Sequence, residues 1–103
     1  MIARIWRGAT AADRAEKYLE YLKQTGVADY TATPGNHGVQ ILLRTHDDRT
    51  DFTIISYWES LDAIKTFAGD QPEVSRYYPE DDDYLIERHP TVEHHEVAEL
   101  GGR

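Results

Sequence analysis

The chain has 103 residues, of which 40% are hydrophobic and 11% aromatic, so it has room for one folded domain with a single core. Its 19 acidic and 11 basic residues give a formal net charge of −8, which argues against nucleic acid and membrane surfaces as partners. It has no cysteine, which excludes disulfides, thiolate nucleophiles and cysteine-ligated metals. Because no apolar run approaches the roughly 20 residues of a membrane span, we expect a cytoplasmic protein.

The first part of the chain is typical of a strand followed by a helix. Residues 2–6 are rich in apolar side chains and predict a strand, which ends in a turn at residues 7–8. Thr10 and Asp13 have the spacing of a capping box, so a helix is predicted to begin there and to end at Gly26. The apolar residues at helical spacing are Ala15, Tyr18, Leu19 and Leu22.

The middle of the chain predicts an antiparallel hairpin. Residues 39–45 and 51–58 are short runs rich in β-branched and aromatic residues, joined by the polar residues 46–49. Both runs place apolar side chains on both of their faces. In the first run, Val39, Ile41 and Leu43 point to one face and Leu42 to the other. In the second run, Phe52 and Ile54 point to one face, and Ile55 and Tyr57 to the other. Such strands need cover on both sides of the sheet.

The last part of the chain predicts a second helix and a final strand. Ser60 is placed as an N-cap, and the helix ends at Gly69. Its apolar stripe comprises Leu61, Ile64, Phe67 and Ala68. Residues 70–88 contain two prolines and an acidic run, and we expect short helical turns there. Residues 91–97 predict the closing strand.

The order β-α-β-β-α-β is that of a ferredoxin-like α+β domain, with a four-stranded antiparallel sheet and both helices on one face. We assign residues 1–98 to this domain and residues 99–103 to a frayed tail. Two helices cover only one face of the sheet, although its strands are apolar on both. A homodimer in which two sheets pack face to face would bury the second face.

Three stretches of the sequence resemble the antibiotic biosynthesis monooxygenase domain family. They are MIARIW at residues 1–6, SYWESLDAIKTFAG at residues 56–69 and HPTVEHHEV at residues 89–97. The middle stretch is the most specific, with Trp58, Glu59 and the capping Ser60 before a helix that ends at Gly69. The resemblance implies a dimeric α/β barrel. It leaves the reaction open, because this fold carries cofactor-free monooxygenases, haem-degrading enzymes, isomerases and proteins without a known activity.

The histidines near the C-terminus do not have the spacing of a metal site. His94 and His95 are neighbours on a predicted strand, so their side chains point to opposite faces and cannot easily share an ion. A strand that contacts the partner subunit, as the resemblance implies, is favoured instead. The acidic residues 77–83 lack the pattern of a calcium loop. We therefore expect no metal.

Haem is also not expected as a cofactor. The haem-degrading branch that the chain resembles typically has an Asn on the first strand and an iron-binding His near the second helix. This sequence has Arg4 and Trp6 on the first strand, and no histidine between His46 and His89. We therefore predict that the protein uses no cofactor.

A cofactor-free monooxygenase needs an apolar pocket for a phenolic or enolisable substrate and hydrogen bonds for its oxyanion. The candidate residues lie on or beside the strands. Those assigned to catalysis are Arg4, Tyr57, His94 and His95, and those assigned to substrate binding are Trp6, Trp58 and Phe67. Each also has a purely structural interpretation, and three of these are specific. Trp58 would be a core anchor and Tyr57 a hydrogen-bonding residue at the rim of the core. Arg4 would pair with a carboxylate of the chain, and this is favoured over pairing with a substrate anion.

Two functions remain open from the sequence. The first is a small oxygenase acting on an aromatic or polyketide-like molecule, which predicts a cavity between sheet and helices with at least one inward titratable group. The second is a non-catalytic dimeric domain that binds a small ligand or has a regulatory role. It predicts that Arg4, Tyr57 and the terminal histidines are paired or face solvent, with no pocket.

Overall fold

The computed structural model describes residues 1–102 and consists of an antiparallel sheet with helices on one face. A 3₁₀ turn at Ala12–Arg14 joins the first strand to the first helix. The strands are β1 (Ile2–Ala11), β2 (Asn36–His46), β3 (Arg49–Trp58), β4 (Leu85–Arg88) and β5 (Glu93–Glu96). The helices are α1 (Ala15–Gln24), α2 (Gly26–Ala32), α3 (Leu61–Ala68) and α4 (Asp81–Tyr84).

The strand order confirms the ferredoxin-like α+β fold. The strands lie in the order β2-β3-β1-β4, and β5 also pairs with β1, all antiparallel. The fourth position of the sheet is therefore shared by two short strands. β4 pairs with Gly8–Thr10 and β5 pairs with Ile2–Ile5, so β1 is the central strand on which the site residues are placed.

Three local predictions for the first third of the chain are wrong. β1 continues through residues 7–8 to Ala11, so Gly8 lies within the strand and does not form a turn. A glycine is needed there because a Cβ would approach the Trp6 ring to 2.6 Å. Thr10 does not cap a helix, because it still pairs with Thr50 in the sheet and its hydroxyl donates to the Ala11 carbonyl oxygen. Gly26 does not end the helical region but begins α2, which the sequence did not predict.

Other local predictions are confirmed. The hairpin between β2 and β3 turns at Asp47, which has a φ of 53°. The Ser60 Oγ accepts a hydrogen bond from the Ala63 N–H at 3.1 Å, and Gly69 ends α3 with a φ of 91°. Residues 70–88 contain the short helix α4, but also β4, which was missed.

The two faces of the sheet have different environments. The inner face lies under the helices and carries the large buried hydrophobic side chains of the sheet, namely Trp6, Phe52, Ile54 and Trp58. The outer face also carries apolar side chains, among them half-buried Ile5 and Ile55 and Leu42, which is 45% exposed. Leu61, assigned to the buried stripe of α3, is exposed. None of the helices within residues 1–102 combines the length and hydropathy needed to cross a bilayer.

Candidate functional site

Five of the seven predicted site residues come together on the inner face. Arg4 and His94 are cross-strand partners in the pairing of β1 with β5, and Trp6 lies two residues further along β1. The Arg4 guanidinium carbon lies 5.5 Å from the centre of the Phe67 ring, and the Phe67 and Trp58 ring centres are 5.8 Å apart. We call this group, together with the neighbouring Tyr30, the inner site.

The other two predicted residues, Tyr57 and His95, lie on the outer face. Both are cross-strand partners of Ala3, from β3 and β5 respectively. The Tyr57 hydroxyl lies 3.4 Å from Gln40 Oε1, and the His95 Nε2 lies 3.1 Å from Glu93 Oε1. These two side chains are thus already partnered and separated from the inner site by the sheet. A catalytic role for them stays a prediction.

Arg4 is a buried cation without a carboxylate partner. Its side chain is 2% exposed, and Nη2 donates to the Val74 carbonyl oxygen at 3.3 Å. No carboxylate oxygen within residues 1–102 forms a salt bridge with it, so the favoured expectation of a carboxylate partner is wrong. Burial lowers the pKa of Arg4, and the adjacent Tyr30 hydroxyl partly opposes this.

Three buried nitrogen atoms of the inner site have no hydrogen-bond partner in the described part of the chain: Arg4 Nε, Trp6 Nε1 and His94 Nε2. Buried polar groups are nearly always paired, because leaving one unpaired costs about 1–3 kcal/mol. Side chains at positions 4, 6 and 94 share one face of the sheet. Their unpaired atoms leave hydrogen-bonding capacity on this face that a polar ligand or water can use.

Aromatic rings and a second cation surround this place. The Arg76 guanidinium carbon lies 4.7 Å from the Phe67 ring centre and 5.0 Å from that of Tyr78. A cavity of about 20 Å³ between the sheet and the helices reaches the inner site at Trp6 and Tyr30, beside Arg76 and Tyr78, while Arg4 and His94 lie outside its lining. It has room for about one water molecule. The oxygenase hypothesis requires an inward titratable group and a cavity between the sheet and the helices. The structure has such groups in Arg4 and His94, but its cavity is too small for a substrate.

The segment of residues 72–80 closes the inner site. Arg76 Nη2 and the Tyr78 hydroxyl both donate to Asp29 Oδ2 of α2, at 3.2 and 2.5 Å. Next to Arg76, the Ser75 N–H donates to the Pro90 carbonyl oxygen. The middle of the segment is therefore held over the site by polar contacts to α2 and to the chain just before β5.

Sequence reasoning missed Tyr30, Arg76 and Tyr78 as residues of this site. Tyr30 lies on the unpredicted helix α2, where its ring centre is 4.5 Å from that of Phe67. Arg76 and Tyr78 lie in the stretch for which only short helical turns were expected. The one available signal was the aromatic content of residues 77–84, which required a buried surface to cover.

The His94 imidazole should make stability depend on pH. Burial, and then the positive charge of Arg4, lower the pKa of His94 in the folded protein. As the pH falls below about 6.5, the ordinary pKa of histidine, His94 becomes protonated in the unfolded chain while it is still neutral in the folded protein. The resulting stability is complete above that pH and is lost as the pH falls toward the folded pKa.

We accordingly expect the melting temperature to fall between about pH 7.5 and about pH 5.5, and to fall less in His94→Gln. Thermal denaturation followed by circular dichroism at both pH values measures this. The outer-face His95→Gln serves as the matched control. Equal pH dependence in wild type and His94→Gln would show that His94 is not the group responsible.

Solved structures with the same fold have low sequence identity to this chain. A Nitrosomonas europaea protein assigned to the antibiotic biosynthesis monooxygenases is 14% identical, with a TM-score of 0.67 over 96% of this chain and 100% of its own. A Bacillus cereus protein of the same assignment is 14% identical, with a TM-score of 0.63 over 99% and 95%. The haem degrader MhuD of Mycobacterium tuberculosis, solved with two haems in its active site, is 19% identical, with a TM-score of 0.60 over 99% and 100%. These likenesses establish the fold.

The inner site does not fit a haem group. His94 is the histidine on the inner face with an unpaired buried Nε2. An iron bound there would lie beside the Arg4 guanidinium, whose positive charge repels a metal cation. The donor set of this chain therefore differs from that of an iron site.

The sequence itself identifies the family. No curated protein matches the chain. The profile of the family described as antibiotic biosynthesis monooxygenase matches residues 1–71, which include β1, the β2–β3 hairpin and α3. This range holds Arg4, Trp6, Trp58 and Phe67 of the inner site, and it confirms the resemblance inferred from the sequence motifs. The chain belongs to the antibiotic biosynthesis monooxygenase family.

Proposed function

We propose that the protein is a cofactor-independent monooxygenase that acts on an aromatic or polyketide-type small molecule in the inner site. The observation that carries this proposal is the set of three unpaired buried nitrogen atoms on Arg4, Trp6 and His94. They lie among aromatic side chains, where a planar substrate would be held away from water. Family membership supports a monooxygenase-type reaction, and the substrate itself is left open.

The proposed reaction converts an activated CH₂ group into a carbonyl, R₂CH₂ + O₂ → R₂C=O + H₂O. His94, kept neutral by its lowered pKa, accepts the proton that the substrate carbon loses. The resulting carbanion, with its charge delocalised onto oxygen, gives electrons to O₂ and forms a peroxide at that carbon. His94 returns its proton to the peroxide. The remaining C–H bond and the O–O bond then break, which releases water and leaves one oxygen atom as the product carbonyl. Arg4 and the Trp6 N–H stabilise the oxyanion throughout.

Oxygen uptake with a panel of anthrones and phenols tests this proposal. Arg4→Met and His94→Gln should each lower kcat/KM by about 10²-fold or more, the usual effect of losing an oxyanion donor or a general base. Arg14→Met, at a surface position remote from the inner site, should retain the wild-type rate. No uptake above the buffer rate, or uptake unaffected by both inner-site substitutions, would refute the proposal.

The outer-face residues give a direct comparison in the same assay. If Tyr57→Phe or His95→Gln abolishes uptake while Arg4→Met does not, the reaction belongs to the outer face. A groove of about 660 Å³ lies there, lined in part by Tyr57, Gln40 and Glu59. Under the inner-site proposal, both outer-face substitutions leave kcat within a small factor of wild type.

The second candidate function is a non-catalytic dimeric domain that binds a small ligand or has a regulatory role. It is favoured by the pairing of Tyr57 and His95 with neighbouring side chains and by the small inner cavity of about 20 Å³. Binding of an aromatic ligand without oxygen consumption would support this alternative over the enzyme.

We also propose that the protein is a cytoplasmic homodimer, with the outer faces of two sheets packed together. The proposal is supported by the apolar outer-face side chains Ile5, Ile55 and Leu42, which the chain's own helices do not cover. Analytical ultracentrifugation should give twice the mass of 11.8 kDa. Ile55→Lys should shift the protein toward monomer, while the exposed Leu61→Lys should not. A folded wild-type monomer at micromolar concentration would contradict this.

A further inference from the structure

We infer that the ligand of the inner site is a planar aromatic anion whose oxyanion supplies the negative charge missing beside Arg4. This inference rests on the proposed function in that it concerns the same inner site, but it does not depend on a reaction with oxygen. The shared feature is a resonance-stabilised oxyanion, which a carboxylate or an ionised phenol or enol can provide. A neutral aromatic compound of the same shape would leave the guanidinium charge uncompensated.

The charges around Arg4 support an anionic ligand. Arg76 contributes a second positive charge, which further lowers the pKa of Arg4. The nearby carboxylates already have other partners: Asp29 accepts from Arg76 and Tyr78, and Asp81 accepts from the Tyr18 hydroxyl at 3.0 Å and the Tyr78 N–H at 2.6 Å. Arg76 has its own counter-charge in Asp29, whereas no carboxylate of the described residues bonds to Arg4, so an anion bound beside the Arg4 guanidinium would be stabilised there.

The free hydrogen-bond donors also match an oxyanion. Arg4 Nε–H is unpaired and Trp6 Nε1–H is unpaired, and both are donors without acceptor capacity. The Arg4 Nη2 uses one hydrogen on the Val74 carbonyl oxygen. A carboxylate or a chelating enolate can accept two parallel N–H bonds from one edge of a guanidinium, the strongest geometry available to arginine.

Admission of the ligand requires the segment of residues 72–80 to move. The cavity of about 20 Å³ is too small for an aromatic ring, and Val74 on this segment is the present acceptor of Arg4. The Val74 side chain is 42% exposed, so its displacement gives up little apolar burial. An incoming oxyanion would replace the Val74 carbonyl as the acceptor for Arg4, which conserves the hydrogen bond and adds the missing charge.

The test uses the full-length protein, two matched probes and one isosteric substitution. The probes are 1-naphthoate and its neutral analogue 1-naphthamide, and binding is followed by calorimetry and by thermal denaturation. Wild type should bind 1-naphthoate at least about tenfold more tightly than 1-naphthamide, as expected for a hydrogen bond to a charged group. Arg4→Met should abolish that preference, and Arg14→Met should retain it. A third probe, 4-nitrophenol above its pKa, shows whether phenolates are taken as well as carboxylates.

Arg4→Met has a second readout that a merely structural arginine would not give. Because the guanidinium is buried without a counter-charge, its replacement by an apolar side chain of similar length should raise the melting temperature of the free protein by about 4 °C or more. Loss of ligand preference together with a gain in stability is the expected result. A lower or unchanged melting temperature, or equal or absent binding of the two naphthalene probes, would overturn the inference.

These outcomes are separable from those of the oxygenase proposal. Selective 1-naphthoate binding without any oxygen uptake would support the anion site and refute the enzyme. Oxygen uptake with neutral substrates, without preference for 1-naphthoate, would support the enzyme and refute the anion site.

Discussion

Replacing Trp58 with alanine is expected to lower the free energy of unfolding by about 3–5 kcal/mol, the usual cost of removing a large buried aromatic side chain. Trp58 is 0% exposed and packs on Tyr30 and Phe67, with ring centres 6.1 and 5.8 Å away. Its Nε1–H donates to Ser56 Oγ at 2.9 Å, so its polar atom is also satisfied. The indole therefore joins β3, α2 and α3 in one core.

Urea denaturation measures this effect, and Trp58→Phe is the matched control. The phenylalanine retains most of the apolar contact and loses the bond to Ser56, so it should cost distinctly less than alanine. If Trp58 is mainly a core anchor, Trp58→Phe should still bind aromatic ligands. A cost below about 1 kcal/mol for Trp58→Ala would contradict its place in the core.

Asp81→Ala should lower the free energy of unfolding by about 2–4 kcal/mol, because it leaves one buried and one part-buried donor without an acceptor. Asp81 is 3% exposed and accepts hydrogen bonds from the Tyr18 hydroxyl and the Tyr78 N–H. Tyr18 is fully buried, and its burial and the Asp81 carboxylate both raise its pKa, so it remains a neutral donor. The carboxylate thereby connects α1 to the segment that closes the inner site.

A double-mutant cycle separates this bond from the general effect of substitution. In the Asp81→Ala background, adding Tyr18→Phe removes the stranded hydroxyl and should recover part of the lost stability, whereas Tyr18→Phe alone should destabilise. The exposed neighbour Asp83→Ala provides the control. An Asp81→Ala variant as stable as Asp83→Ala, with additive effects in the cycle, would show that the buried bond contributes nothing.

The order of the elements was predictable because its signals are local. Ser60 and Gly69 delimit α3 through capping chemistry that depends on a few neighbouring residues. α2 was missed because residues 26–32 begin with a glycine and carry no apolar periodicity. Its place is fixed by tertiary contact of Tyr30 with Phe67 and Trp58. β4 was missed because it is four residues long and its partner is the far end of β1.

The inner site was predictable only in part. Strand alternation places Arg4 and Trp6 on one face, but which terminal histidine joins them depends on the register between β5 and β1, a long-range property. The same limit explains the wrong expectation of a carboxylate partner for Arg4. The acidic residues are abundant in the sequence, yet Asp29 and Asp81 are engaged by other donors in the fold.

The most direct test of an oxyanion site beside Arg4 is the titration of the two tryptophan indole N–H signals by nuclear magnetic resonance. Trp6 and Trp58 are the tryptophans of this chain, and Trp6→Phe assigns their signals. On addition of 1-naphthoate, the unpaired Trp6 N–H should shift strongly downfield in wild type and not in Arg4→Met, while Trp58, already bonded to Ser56, should change little. An unmoved Trp6 signal at saturating 1-naphthoate would contradict the account.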